Sequence, residues 1–194
     1  MKYEYILASG SPRRKELLKE ILPNFEILPS QADESITGTL SPKRLVKILA
    51  ARKAKEVSML KENERKMVIG SDTVVALGKT VLGKPADKAD AARMLESLSG
   101  KKHHVWTGVC FAYTDNGCTR VKTFAVKTSV YFNRLTKAYI QDYVESGSPM
   151  DKAGAYGIQD GGLVGKIKGS YSNVVGLPTE RCKAVLKRIE SKGL

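Results

Sequence analysis

Tyr5-Ile6-Leu7-Ala8-Ser9-Gly10-Ser11-Pro12-Arg13-Arg14-Lys15-Glu16-Leu17-Leu18 is the stretch from which the rest of this chain can be read. The apolar run Tyr5–Ala8 predicts a strand, and Lys15-Glu16-Leu17-Leu18 begins a helical pattern. The small residues between them make a turn in which Ser11 can cap the helix and Pro12 suits its first position. Free backbone N–H groups at such a helix start favour an anion. Arg13 and Arg14 add planar, permanently charged forks that match phosphate oxygens. S-x-S-P alone reads better as an ordinary capped turn with two solvated arginines. Two cations in the first turn, however, oppose the helix dipole, and a bound anion would offset that cost. The stretch therefore points to a polyphosphate site that follows a strand and opens a helix.

Outward from it the pattern is mixed α/β. Phe25–Leu28 predicts a second strand, followed by the polar loop Ser30-Gln31-Ala32-Asp33-Glu34-Ser35 and a helix opening at Ser41-Pro42. Val46, Leu49, Ala50, Lys53, Val57 and Leu60 share one stripe of that helix, interrupted only by Lys53. Such a lysine either snorkels to water or points into a cleft beside the core, and the spacing alone leaves both open. Met67–Gly70 predicts a central strand ending in Ser71-Asp72-Thr73, which would put a carboxylate at the end of a buried strand. Asp72 there is either a reacting group or a turn cap. Leu77–Leu82 predicts a hairpin turning at Gly78-Lys79, closed by Gly83-Lys84-Pro85.

Asp87–Leu98 predicts a capped helix with Ala91, Met94, Leu95 and Leu98 on its apolar side. Val105–Tyr113 and Cys118–Phe132 predict a long hairpin around Asn116-Gly117. Thr136 caps a further helix to Val144. The glycine-punctuated loop Met150–Gln159 is of the kind that carries function on a rigid scaffold. Leu163–Ile167 predicts a strand, Gly169–Asn173 a polar turn, and Thr179–Ile189 the last helix. Sequential hairpins argue against an all-parallel sheet.

Composition narrows the class. The 194 residues suffice for a real core, and 42% hydrophobic with 27% charged residues is ordinary for a globular protein. No stretch is long and apolar enough to span a membrane, and no secretory h-region opens the chain. Cys110, Cys118 and Cys182 lack C-x-x-C spacing and fit a reduced, cytoplasmic setting. His103 and His104 have no nearby cysteine, which argues against zinc. A net charge of +13 predicts attraction to polyanions, among which charge alone does not choose. Nucleic-acid binding would call for a groove-reading motif or basic residues interleaved with exposed aromatics, and the 7% aromatics are scattered.

Together, Leu7–Arg14, Ser71-Asp72-Thr73, Gly83-Lys84-Pro85 and Met150-Asp151-Lys152-Ala153-Gly154-Ala155-Tyr156-Gly157-Ile158-Gln159 resemble the Maf family of nucleoside triphosphate pyrophosphatases, first named for inhibiting septum formation. The resemblance runs from Leu7 to Gly176-Leu177-Pro178, with the motifs in family order. It implies one Maf-like domain over residues 1–194. The implied fold is α/β and similar to the inosine triphosphate pyrophosphatases: an elongated mixed sheet flanked by helices, in two lobes around a central cleft. It also implies a homodimer and a divalent metal, Mg²⁺ with Mn²⁺ or Co²⁺ as alternatives, held by Glu34 and Asp72. Asp33 is the neighbour that could be confused with Glu34. By the same resemblance Asp72 is the base, and Glu34, Lys53 and Lys84 complete the catalytic group. Ser9, Ser11, Arg13, Arg14, Lys53 and Lys84 bind phosphate, and Arg13, Thr73 and Gln159 set substrate choice. The match at Lys53 favours the cleft over the snorkel.

The intact D-K-A-G-A-Y-G-I-Q loop resembles the branch acting on dTTP and UTP, with modified pyrimidine nucleotides as further expected substrates. Asp160, after Gln159, is a local departure, since close relatives more often have glycine there. The rival expectations are the same chemistry on a purine or 7-methylguanine nucleotide, or a basic nucleic-acid-binding regulator of septum formation.

Overall fold

The computed structural model describes residues 3–194. Strands β1 (Tyr5–Leu7), β2 (Glu26–Ile27), β3 (Met67–Leu77), β4 (Thr80–Leu82), β5 (Lys102–Asp115), β6 (Cys118–Phe132) and β7 (Val164–Lys168) form a mixed sheet. Its order is β2-β1-β3-β5-β6-β7, with β4 added to β3. β1 pairs in parallel with both β2 and β3, whereas β4 and β7 pair antiparallel with β3 and β6. The helices are α1 (Pro12–Lys19), α2 (Pro42–Ser58), α3 (Lys88–Leu98), α4 (Lys137–Glu145), α5 (Tyr171–Val175) and α6 (Thr179–Lys192). By its internal contacts the chain divides into two compact units. One holds the residues up to Asp72 with Thr107–Val126 and Gly176–Leu194; the other holds Thr73–Trp106 with Lys127–Val175.

In the first unit, α2 lies directly on the sheet. Ala50, Ala54 and Val57 from its inner face meet Ile6, Ala8, Val68, Cys110 and Ala112 in one cluster. The approach is close enough to require glycine on two strands. A Cβ on Gly70 would stand 2.5 Å from the Ala50 carbonyl oxygen, and one on Gly108 would stand 2.2 Å from that of Val46. Residues two apart on a strand share a face. Asp72 is therefore aimed at the helix that Gly70 touches.

The second unit is built around Met94, Leu95, Leu98, Val105, Val130, Phe132, Ile140 and Tyr156, with α3 and α4 supplying the helical side. Asp87 and Thr136 cap those helices through the amides of Asp90 and Tyr139, as the sequence leads one to expect. His103 is 1% exposed; its Nε2 lies 2.8 Å from the Tyr156 hydroxyl, and its ring meets Phe132 edge-on. Tyr156, from the glycine-punctuated loop, is thereby fixed in the core.

Three expectations need correction. β3 does not end at Ser71-Asp72-Thr73 but runs on to Leu77, so Asp72 stands inside a strand. It falls between the register with β1, which ends at Ile69, and the register with β4, which begins at Val75. Leu60 is off the α2 stripe and 40% exposed, because the helix stops at Ser58. The Gly169–Asn173 segment enters a short helix, α5, started by the Ser170 hydroxyl accepting from the Asn173 amide.

Candidate active site

Four of the residues singled out in the sequence meet in the first unit. The Lys53 ammonium lies 2.7 Å from Asp72 Oδ1 and 3.0 Å from Glu34 Oε1. The Lys53 and Asp72 side chains are only 12% and 9% exposed, whereas Glu34 is 60% exposed. Lys53 points inward to these carboxylates rather than snorkelling to water. Burial pushes the Asp72 carboxyl above its ordinary value, while Lys53 and Arg14 pull it back. A carboxylate so poised suits proton transfer better than a solvated one, whose basicity is weaker.

Glu34 is held at Lys53 by its neighbours. Ser30 donates to Glu56, as does the Gln31 amide, and Arg52 donates to the carbonyls of Ser35 and Asp33. Glu56 and Arg52 flank Lys53 on α2, so the helix that presents the lysine also ties down the loop. Asp33 turns the other way and accepts from the Ser35 amide and hydroxyl. Those bonds hold its carboxyl below the ordinary range. Of the two adjacent acids, the structure brings Glu34 to the site.

The start of α1 has the expected cap: Pro12 opens the helix and the Ser11 hydroxyl accepts from the Arg14 amide. Arg14 is anchored backwards, Nε donating to the Gly176 carbonyl at 3.0 Å and Nη1 to Ser9 Oγ at 3.2 Å. Burial lowers its pKa, Asp72 opposes that, and Arg13 adds to it. Arg14 stands in the field of Asp72 and Glu34 with Arg13 next to it, an arrangement that favours a polyanion. Ser9 thus orients Arg14 and also accepts from the Ser11 amide at 3.3 Å.

Sequence reasoning missed Gly176 and Ser71. The Gly176 carbonyl takes the Arg14 bond and lies 3.0 Å from Ser71 Oγ, which is buried next to Asp72. Gly176 has φ 125°, a region that favours glycine, so Val-Val-Gly-Leu-Pro was a signal beyond a turn into the last helix.

Lys84, Thr73 and Gln159 belong to the second unit. Thr73 follows Asp72 on β3 and is half-buried; Lys84 and Gln159 are exposed. The Gly83-Lys84-Pro85 turn is joined to the glycine-punctuated loop by the Gly154 amide donating to the Gly83 carbonyl at 2.8 Å. A Cβ on Gly154 would come within 2.7 Å of Val75, so this loop also sits hard against its own strand.

For a divalent cation the donor set is suitable. Glu34 and Asp72 bring carboxylate oxygens to one ammonium, and Mg²⁺ usually takes one or two carboxylates beside phosphate oxygens and water. Among the described residues no group of three or more His, Cys, Asp or Glu side chains could hold a metal by itself. A cation here would need the substrate's own oxygens.

The family model described as Maf-like protein matches residues 4–189. This chain belongs to the Maf family. A relative from Geobacillus sp. (strain WCH70), named dTTP/UTP pyrophosphatase, is 48% identical over 96% of this chain and 98% of its own length. Relatives of the same name from Pelotomaculum thermopropionicum and Agathobacter rectalis are 44% and 46% identical, over 95% and 96% of this chain and 96% and 97% of their own lengths. A solved HAM1 protein from Coxiella burnetii superposes with TM-score 0.49 at 16% identity, covering 96% of this chain and 100% of that one, a likeness too loose to carry an argument. In this chain the strand-borne aspartate, the bridging lysine and the arginine pair lie in one unit. No helix among the described residues is long and apolar enough to cross a membrane.

Proposed function

We propose that this Maf-family protein is a pyrophosphatase that hydrolyses dTTP and UTP to the monophosphate and pyrophosphate. The observation that carries the chemistry is the buried Asp72 carboxylate, bonded to Lys53 beside Glu34 and within the field of Arg14. The shared name of three near-full-length relatives supports the substrate.

A triphosphate repels an incoming nucleophile, so hydrolysis needs a positioned water and neutralised phosphate charge. Asp72 orients and deprotonates that water for attack on the α-phosphate. Lys53 holds Asp72 in place and lowers the cost of its charge. Arg13 and Arg14, with the amides opening α1, take the phosphates and stabilise the departing pyrophosphate as charge builds on it. Glu34 and Asp72 would hold a divalent cation, Mg²⁺ with Mn²⁺ or Co²⁺ as substitutes. Bound there, it would supply charge neutralisation along the phosphate chain. Lys84 is assigned to phosphate, and Thr73 and Gln159 to the base, on the family resemblance. The Gln159 amide offers both the donor and the acceptor that a uracil or thymine edge needs. A homodimer in the cytoplasm completes the reading.

The test is a panel of nucleoside triphosphates assayed for pyrophosphate release with Mg²⁺, Mn²⁺ and Co²⁺. Highest kcat/KM on dTTP and UTP is expected. Preference for a purine or 7-methylguanine nucleotide would replace the substrate, and pyrophosphate release from none would remove the activity.

A further inference from the structure

The residue after Gln159 is the centre of a closed hydrogen-bond circuit. Gln159 and Asp160 share a single 3₁₀ turn, Ile158–Asp160, closed by the Asp160 amide donating to the Gly157 carbonyl at 3.1 Å. Asp160 Oδ2 accepts from the Tyr143 hydroxyl at 2.5 Å and from the Ser148 hydroxyl at 2.8 Å. Tyr143, having donated its proton there, accepts from the Gly157 amide at 3.1 Å. Ser148 accepts from Lys152, whose ammonium is itself 3.8 Å from Asp160. Each hydroxyl in the circuit thus donates once and accepts once, and one carboxylate ties the turn to α4 and to the segment before the loop. The Asp160 and Lys152 side chains are 20% and 10% exposed, although Asp160 as a whole residue lies at the surface.

The circuit also explains a glycine. A Cβ on Gly157 would stand 2.7 Å from Asp160 Oδ2, and its three nearest neighbours would all be Asp160 side-chain atoms. The carboxylate fills the space beside the Gly157 backbone and grips both ends of the turn that carries Gln159. Burial and the bond to Asp160 push the Tyr143 phenol up, which keeps it a proton donor to the carboxylate.

We propose that Asp160 is a positioning residue for base selection, holding the Ile158–Asp160 turn so that Gln159 is presented in one orientation. The proposal rests on Gln159 reading the base. A side chain already ordered loses less freedom on binding, so the circuit acts on substrate affinity and discrimination. The proton-transferring group Asp72 lies on a different element and is left unchanged.

The experiment measures kcat and KM for Asp160→Ala, Tyr143→Phe and Asp160→Asn, using the nucleotide wild type prefers and the next best with a different base. Asp160→Ala and Tyr143→Phe should each raise KM for the preferred nucleotide about tenfold and lower discrimination about tenfold, with kcat within about twofold. Asn still offers an oxygen to both hydroxyls, so Asp160→Asn should keep wild-type discrimination. Amide hydrogen exchange at Gly157 and Asp160 should accelerate in the first two variants and not in the third. A simple loss of folded protein would lower kcat alike for every nucleotide and leave KM and discrimination unmoved. Unchanged discrimination in both Asp160→Ala and Tyr143→Phe overturns the proposal, as does an Asn variant as impaired as the Ala one. If wild type prefers a base other than uracil or thymine, only the substrate assignment falls, because the comparison is made on whichever nucleotide wild type prefers.

Discussion

Replacing Lys53 by Met keeps most of the side chain's length and removes its charge, leaving Asp72 buried without its principal partner. At the observed 2.7 Å, a unit-charge attraction screened by an effective dielectric near 20 is about 6 kcal/mol before desolvation is counted. Desolvation takes back much of this, and removing one member of a buried pair costs about 3–5 kcal/mol net. Solvent near the exposed Glu34 places the expected loss at the low end, about 3 kcal/mol at pH 8. The loss must depend on pH. Burial already raises the folded-state pKa of Asp72, and removing Lys53 raises it further. A carboxyl whose folded pKa lies above the unfolded one binds its proton more tightly when folded. Its contribution is therefore present at low pH and lost as pH rises through the folded value. Each unit of pKa difference is worth about 1.4 kcal/mol, so the Lys53→Met penalty should shrink as pH falls from 8. Urea unfolding followed by circular dichroism at several pH values, with chelator present, measures this. Adding Asp72→Asn should restore most of the lost stability by removing the stranded charge. A penalty under about 0.5 kcal/mol at every pH, or one that grows on acidification, would refute the argument.

Asp72→Asn alone should cut kcat by about 10²–10⁴-fold while nucleotide affinity changes little, because shape survives and proton acceptance does not; turnover near wild type removes Asp72 as the base. Gly70→Ala would force a methyl group against the Ala50 carbonyl, 2.5 Å away, and should cost at least about 1–3 kcal/mol in urea unfolding. Because α2 also carries Lys53, kcat/KM should fall with it, and an unperturbed enzyme would show that the helix can yield. Burial holds the His103 pKa down at about 4, so the unfolded chain takes up that proton first as pH falls. Its contribution is complete above about pH 6.5 and is lost by about pH 4, a total near 3 kcal/mol. His103→Gln should flatten that part of the stability–pH curve, and an equal slope in the two proteins would exclude the imidazole as its source.

Local patterning established much of this protein before any tertiary contact was known. Ser11-Pro12, Asp87 and Thr136 announce helix starts because a cap is satisfied within three residues. Asn116 and Gly117 announce a hairpin because both adopt positive φ, 49° and 71°. The Maf-family motifs named Asp72, Lys53 and Arg14 because residue types in a fixed order survive in one dimension. What one dimension cannot hold is the meeting of distant residues. Periodicity left Lys53 between solvent and cleft; the absence of a Cβ on Gly70 let α2 approach closely enough for Lys53 to reach Asp72. Adjacent Asp33 and Glu34 look alike as letters, and only the grip of Arg52 and Glu56 on their loop turned one toward Lys53 and the other toward Ser35. Asp72 read as a strand end because Ser-Asp-Thr is polar, yet the strand continues, since its lysine partner satisfies the buried charge. Asp160 gave little local sign of its role and Gly176 only its glycine, because the donors that reach a carbonyl or a carboxylate are set by what the folded chain brings within about 3 Å, and that is a property of packing.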